Sequence, residues 1–573
     1  MIRLKLQEIA QRLGKSISDI ARETGINRNT ITALYHGKVE GVRFSTLEKL
    51  CAAYDLTLAN LLERDAKKAH PETRRTDRLY RQEGEIIPFT CFPSMLVAGA
   101  SALPPEFLGL SFEGLYAYYR KGYAYYYWHT DALNVMAEQL YKRYAAPRQF
   151  AMLYEKFRKY ADELERLYRD AYQRSFAQDT NEELQEYFVR LRSVYHKFWE
   201  HSLFIDAYDS GFDTAEIQRI TQRYRFSLDD VAALSAPEER IFANERLYRL
   251  LRMIRPVFRK NIPRNRLRNF LQQFFTRSEE FRQYQEDFDY VLSNYVHVQH
   301  VTLENTVAEA EKFLKDKKRF DREFHWLQTY GERQHTLATK VLRKHKISQN
   351  PISFFAKLTY WREYQKKVNL MGIHVLNALL DVVEARTGIP KKYLLFLSLD
   401  EFSGVLKGLV TKEMLQERYE EGVLITLEDS NYSMVIGKEA ASLRRDLEKR
   451  FHTENIDATT LSGQVACQGY AQGTAQVILN QKDFRKFRDG NILVTGMTRP
   501  EFVPLMKRAA AIVTNDGGIT SHAVIISREL GKPCIIGTKI ATDMIHTGDL
   551  IEVRAHHGTV RILKKADRAK RSA

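Results

Sequence analysis

From Gly463 onward the chain changes its texture. "GTAQVILN", "GNILVTG", "AAAIVTND", "PCIIG" and "DLIEVRAHHGTVRIL" are short β-branched runs bounded by Gly, Asp and Pro. Between them stand stretches of helical spacing such as "FVPLMKRA" and "HAVIISREL". Short strands that alternate with helices dictate a compact α/β domain of about 100 residues. Upstream, apolar residues recur three and four apart, as in "NEELQEYFVRLRSVYHKFWEHSLF", and that periodicity predicts helices. The expected fold class is multidomain, α plus α/β. It begins with an N-terminal five-helix bundle over 1–63 and a charged linker over 64–85. A large, mostly α-helical central domain over 86–451 and a second linker over 452–462 follow. The α/β domain over 463–563 and a basic tail over 564–573 complete it. A length of 573 residues suits three to four domains.

The N-terminal segment "SISDIARETGINRNTITALYHGK" has the pattern of two helices joined by a tight turn. Ser16 can cap the first, with Asp19 three residues on to complete a capping box. Ile17, Ile20 and Ala21 give that helix an apolar face. Gly25 supplies the turn and Ile26 plugs the angle. Asn27 caps a second helix from Arg28 to about Tyr35, with Ile31 and Leu34 inward, and Gly37 ends it. The outer face presents Asn27, Arg28, Asn29 and Thr32. Arg can bind guanine bidentately and Asn can bind adenine, which suits a helix that enters the major groove. Helices "STLEKLCAAYD" and "TLANLLE" follow. This layout resembles the Cro/repressor-type (XRE-like) helix–turn–helix domain over residues 1–63, which implies double-stranded DNA as partner and a homodimer on a palindrome. Nine Lys/Arg against seven Asp/Glu leave the segment at about +2, so its attraction to phosphates is modest.

The whole chain has a formal charge of +16 and a pI near 9.3. That surplus suits an acidic partner and equally suits solubility alone. Aromatic residues make up 12% of the chain, which argues against long disorder. The cysteines Cys51, Cys91, Cys467 and Cys534 are scattered, without metal or disulfide spacing. A cytoplasmic location is expected. The most apolar stretch, Phe92–Leu110, is broken by prolines and small residues, so a buried loop or short helices, and no membrane partner, are expected there.

"NDGGITSHAVIISREL" (Asn515–Leu530) holds the residues best suited to chemistry. An imidazole can attack a phosphoryl group and hold it as a phosphoramidate. Gly517 and Gly518 would let backbone approach a polyphosphate. Thr520 and Ser521 offer hydroxyls just ahead of a helix. His522 opens that helix, where free N–H groups and the dipole favour an anion. Arg528 could add a cation. From "GTAQVI" through this string to "TGDLIEV" and "GTV", residues 463–563 resemble the swivelling phosphohistidine domain. That domain occurs in phosphoenolpyruvate synthase, pyruvate phosphate dikinase and rifampicin phosphotransferase. The resemblance implies that His522 is the phosphorylated residue and that the domain carries phosphoryl groups between sites. Thr498 falls in a loop of the same pattern without an assigned role.

The ATP-grasp domain typical of those enzymes is not recognised, nor is their phosphoenolpyruvate barrel. No Walker A motif is present: "GKS" at Gly14–Ser16 lacks the upstream glycine. No cofactor is therefore expected within the chain. ATP or phosphoenolpyruvate would be the phosphate donor, and Mg2+ would enter only with a nucleotide site. The central region, best in Tyr360–Phe402, resembles in layout the helical part that precedes the histidine domain in rifampicin-phosphotransferase-like proteins.

Three further features have bland readings. Arg246, Arg249, Arg252 and Arg255 form a stripe best read as a solvated or acid-paired helix face. The tyrosines of Gly114–Leu133 read as helix packing. His297, His300, His325 and His335 lack metal spacing and read as structural, so no metal site is expected. Two functions follow. The first is a DNA-binding protein whose phosphocarrier domain, charged on His522 by a separate kinase or phosphodonor protein, acts on transcription. The second is a phosphotransferase that passes phosphate through His522 to a small molecule held by the central domain.

Overall fold

The computed structural model describes residues 2–4, 6–36, 44–54, 62–64, 79–85, 114–210, 212–260, 262–293, 298–398, 401–428, 431–453, 460–517 and 521–566. The chain divides into two units, Met1–Asp77 and Arg78–Ala573. Phe92–Leu110, Gly37, Cys91, His297, Gly518 and Thr520 lie outside the described residues.

The first unit holds helices Leu6–Leu13, Ile17–Thr24, Arg28–Tyr35 and Phe44–Tyr54. Leu6, Ile9, Ile20, Ile31, Leu34, Leu47 and Leu50 meet in its core. The second helix starts as its sequence dictates: the Asp19 N–H donates to Ser16 Oγ, and the Ser16 N–H donates to the Asp19 carboxylate. Gly25 ends it with φ of 63°, a left-handed conformation that favours glycine. Where a fifth helix was expected, Leu62–Arg64 pairs as a strand with Ile2–Leu4, and residues 55–61 lie outside the described residues.

The second unit is organised around one 35-residue helix, Ser353–Thr387. Its buried residues point in all directions: Phe354, Leu358, Trp361, Val368, Leu376, Leu379 and Val383 among them. It packs along Pro147–Gln173 and touches Asn181–Glu200. Trp361 is fully buried against the rings of Phe150, Tyr154, Phe157 and Phe204. The helix is long and apolar enough to cross a bilayer, yet 67% of its most apolar window is buried inside the protein. A second helical lobe, from Phe242–Ile254 to Lys317–Gln328, has its own core of Leu250, Ile254, Leu271, Phe275, Tyr284, Phe313 and Phe324.

The tyrosine-rich segment is β-sheet, not packed helix. Leu115–Arg120 and Tyr123–His129 form a hairpin in a five-stranded antiparallel sheet. In spatial order its strands are Leu79–Glu85, Tyr123–His129, Leu115–Arg120, Val423–Glu428 and Asn431–Ile436. Leu79–Glu85 falls in the stretch expected to be linker. Arg120 pairs with Tyr123, so Lys121–Gly122 is a two-residue turn. Both turn residues have positive φ, 51° and 83°, which is what the right-handed twist of a hairpin requires. Leu115, Ala117 and Tyr119 face the main core. Tyr116, Tyr118 and Tyr127 face the other way, onto Ala440 and Leu447 of helix Lys438–Thr453. With both faces covered, the strands lose the polar alternation that would have marked them.

The C-terminal sheet has eight strands. In spatial order they are Thr460–Ser462, Thr559–Lys564, Leu550–Arg554, Tyr470–Val477, Ile492–Thr495, Ala511–Thr514, Cys534–Ile536 and Gln464–Cys467. The four from Tyr470–Val477 to Cys534–Ile536 run parallel, and antiparallel strands flank them on both sides. Ile492–Thr495, Ala511–Thr514 and Cys534–Ile536 are buried at every position, as parallel strands covered on both faces must be.

Trp361→Ala should leave a ring-sized cavity in the main core. The expected cost is about 3–5 kcal/mol, read as a lower thermal midpoint for the 78–573 unit while the first unit's own transition stays in place.

Candidate functional site

The Ala511–Thr514 strand ends in a loop that leads to helix His522–Leu530. A parallel strand followed by a helix N-terminus is where α/β proteins bind anions. The loop is pinned from several sides. The Asn515 and Asp516 N–H groups donate to the Thr495 and Gly496 carbonyls at 3.1 and 2.9 Å. Asn515 Oδ1 accepts from the Thr542 N–H at 3.0 Å. Gly517 has φ of 123°, and a Cβ there would sit 2.9 Å from Ser521 Oγ. Glycine is therefore required by backbone conformation and space together.

His522 stands at the first position of the helix. Its Nδ1 lies 2.9 Å from Thr498 Oγ1. Thr498, which sequence reasoning left without a role, is buried in the loop after the neighbouring Ile492–Thr495 strand. The ring is held well below the ordinary histidine range, at about 4, first because burial disfavours the cation and second because the charge of Lys366 acts on it. Lys366 belongs to the long central helix. No local motif could have indicated it, because 156 positions of chain separate it from His522.

The other expected residues are distributed unevenly. Ser521 is the N-cap, with no side-chain capping bond. Its Oγ is buried and has no hydrogen-bond partner among the described residues. Arg528 lies six residues on, about 9 Å further along the helix axis. Its Nε donates to the Ala466 carbonyl at 2.8 Å, and burial lowers its affinity for its proton while Asp229 opposes that effect. The fold thus gathers Gly517, Ser521, His522 and Thr498 at one loop and turns Arg528 to the edge strand.

Charged groups of three central helices act electrostatically on helix His522–Leu530. Lys366 acts on His522, Asp229 of Leu228–Ser235 on Arg528, and Glu323 of Lys317–Gln328 on Glu529. Near the same long helix lies a cavity of about 280 Å³, lined by Arg169, Arg240, Arg249, Tyr360, Tyr364 and Lys367 among others. Its cations are paired: Arg169 and Arg249 with Asp287, Arg240 with Glu245, Lys367 with Glu165. The arginine stripe is likewise neutralised, Arg246 by Glu309 and Arg252 by Glu280, while Arg255 stacks on Phe324.

In the first unit, Asn27, Arg28 and Asn29 are exposed and Thr32 is half-buried on the face opposite Ile31 and Leu34. Asn27 Oδ1 accepts from the Asn29 N–H at 2.8 Å, so its side chain caps the helix. The Thr32 hydroxyl donates to the Arg28 carbonyl at 2.8 Å. Arg28 and Asn29 are the side chains of this group whose polar ends are not engaged in local backbone bonds.

The fold also unites residues that the sequence keeps apart. Asp289, His300 and His374 bring one ligand atom each to within 4.8 Å of one another. Spacings of 11 and 74 residues match no short metal motif, so no sequence signal could have grouped His300 with the other two.

Comparison with known proteins agrees with both ends of the chain. Residues 5–67 match the Cro/C1-type HTH DNA-binding domain, and residues 487–558 match the PEP-utilising enzyme, mobile domain. The chain is 42% identical over 150 residues to a probable phosphoenolpyruvate synthase of Archaeoglobus fulgidus, covering 26% of this chain and 19% of that one. It is 47% identical over 116 residues to phosphoenolpyruvate synthase of Pyrococcus furiosus, covering 19% and 14%. With that of Aquifex aeolicus it shares 51% identity over 88 residues, covering 15% and 10%. It therefore spans less than a fifth of the length of these relatives. The protein joins a Cro/C1-type DNA-binding domain to a mobile domain homologous to part of phosphoenolpyruvate synthase.

Because burial and Lys366 both disfavour the imidazolium, His522 should titrate near 4. In the unfolded chain the ring should titrate near the ordinary 6.5. A depressed folded value means that its contribution to stability is full above about 6.5 and is lost as pH falls towards 4. NMR of 13C-labelled histidine in the full-length protein measures this, and Lys366→Ala should move the midpoint upward.

Proposed function

We propose that the protein is a DNA-binding regulator controlled by phosphorylation of His522. The observation that carries the reading is the Thr498–His522 contact. If Nδ1–H donates to Thr498 Oγ1, the neutral ring keeps its lone pair on Nε2. That nitrogen attacks phosphorus in ATP or phosphoenolpyruvate, or in a phosphorylated donor protein. The N–P bond forms, the bond from phosphorus to the leaving group breaks, and the leaving group keeps the electron pair. The Nδ1 proton remains in its bond to Thr498 and holds the ring in place. Ser521 Oγ, buried without a partner among the described residues, and the helix N-terminus can receive phosphoryl oxygens.

The same chemistry supplies a switch. A phosphoryl group adds about two negative charges. Lys366, which disfavours a cationic His522, would attract a phosphorylated one. Phosphorylation thereby changes how strongly the mobile domain holds the central helices, and the regulator reads that state in its DNA affinity. DNA recognition rests on Arg28 and Asn29, with Asn27 and Thr32 as supports of their helix.

The cavity beside Tyr360, Tyr364 and Lys367 favours a second reading. It would hold a small polar substrate, to which His522 would deliver phosphate as a phosphotransferase.

Intact-mass measurement at neutral pH, after incubation with ATP, with phosphoenolpyruvate or with host lysate, tests the carrier role. An adduct of one phosphate that is absent from His522→Ala is expected, and no adduct under any condition would overturn it. Binding to DNA from upstream of its own gene then separates the two readings. The regulator requires the phosphorylated protein to differ at least several-fold in affinity, with Lys366→Glu removing that difference. Continuous phosphate turnover with no effect on DNA binding would mean the enzyme. Arg28→Ala should cost about 1–3 kcal/mol of specific binding without affecting the phosphate adduct.

A further inference from the structure

We propose that Asp289, His300 and His374 form a binding site for a divalent transition-metal cation of the zinc class. The site is independent of the reading given to His522. Each residue arrives from a different part of the second unit. Asp289 opens the short helical turn Asp289–Leu292, His300 lies in the segment that leads into helix Leu303–Lys315, and His374 sits in the long central helix. Asp289 and His374 are buried, while the His300 side chain is 63% exposed.

Hydrogen-bond accounting fixes which atoms face inward. Asp289 Oδ1 is taken up by the Val301 N–H at 2.7 Å, which leaves Oδ2 for the cluster. His300 Nδ1 lies 2.5 Å from that oxygen and His374 Nδ1 lies 3.7 Å from it. Ser293 Oγ stands 2.5 Å from His374 Nε2. The Ser293 hydroxyl donates to the Gln299 carbonyl at 3.1 Å and accepts from the Gln299 N–H at 2.9 Å. Its one proton is thus committed, so His374 Nε2–H is the donor to Ser293. His374 Nδ1 then presents a lone pair to a buried carboxylate oxygen. Without a metal, His300 Nδ1–H donates to Asp289 Oδ2, and the His374 Nδ1 lone pair faces the same oxygen at 3.7 Å with no proton between them.

A metal ion resolves that conflict. Two nitrogens and one carboxylate oxygen are a common donor set for Zn2+ and its neighbours, and a hydrogen bond from the far ring nitrogen is the usual way such a histidine is oriented. With metal–ligand distances of about 2.0–2.1 Å, donors around a tetrahedral ion lie roughly 3.4 Å apart. The His374–Asp289 separation is already close to that. His300 needs to withdraw by about 1 Å on the same arithmetic, and its exposed ring has room to do so. The remaining coordination positions would go to water. Bound metal would tie the long helix to the segment that enters the second helical lobe.

The test uses the full-length protein after removal of metal with a chelator. Titration with Co2+ should give visible d–d absorption that saturates at one equivalent, Zn2+ should displace it, and Mg2+ should not. Zn2+ should also raise the thermal midpoint. His300→Ala, which removes an exposed ring and leaves the core intact, should weaken Co2+ binding at least tenfold, and His374→Ala should do so more strongly. Unchanged Co2+ affinity in His300→Ala, or absence of saturable binding in the unmodified protein, would overturn the proposal.

Discussion

A helix with buried residues on every side must be surrounded, and the 35-residue Ser353–Thr387 helix imposes that demand on the whole second unit. Its apolar length cannot be satisfied by one neighbour. Pro147–Gln173 and Asn181–Glu200 cover it along the main core, and Trp361 locks the aromatic layer between them. Gly372 shows how close the packing is: a Cβ there would lie 2.9 Å from the Tyr195 ring. The polar positions of the same helix then fall where the neighbours leave openings. Lys366 acts on His522, Lys367 lines the cavity, and His374 joins Asp289 and His300. One structural element thus brings three separate chemistries into register.

What the sequence made legible is what depends on neighbours along the chain. The capping box of Ser16 and Asp19, the left-handed Gly25 and the cap on Asn27 all act within four residues, and each was readable. The sequence marks Gly517 for close approach of a polyphosphate, whereas the structure adds a positive φ and crowding by Ser521 as reasons for glycine there. The tyrosine-rich hairpin was misread because both its faces are buried, so its strands carry no polar alternation. The signal that could have found it is Gly122, a turn glycine between two aromatic runs of strand length. Thr498, Lys366 and the Asp289–His300–His374 group were out of reach for a different reason. Their partners are fixed by tertiary packing across long separations.

The C-terminal sheet has its own core: among the described residues its two apolar clusters draw only on residues between Leu461 and Ile562. The charges of the central helices act on it with mixed sign. Arg528 and Asp229 attract, Glu529 and Glu323 repel, and Lys366 opposes any positive charge on His522. If His522 carries phosphate as proposed, a change of about two charges on that ring acts in the same field as Lys366. A ligand that binds the ring more strongly in one arrangement of the domain must by the same amount favour that arrangement.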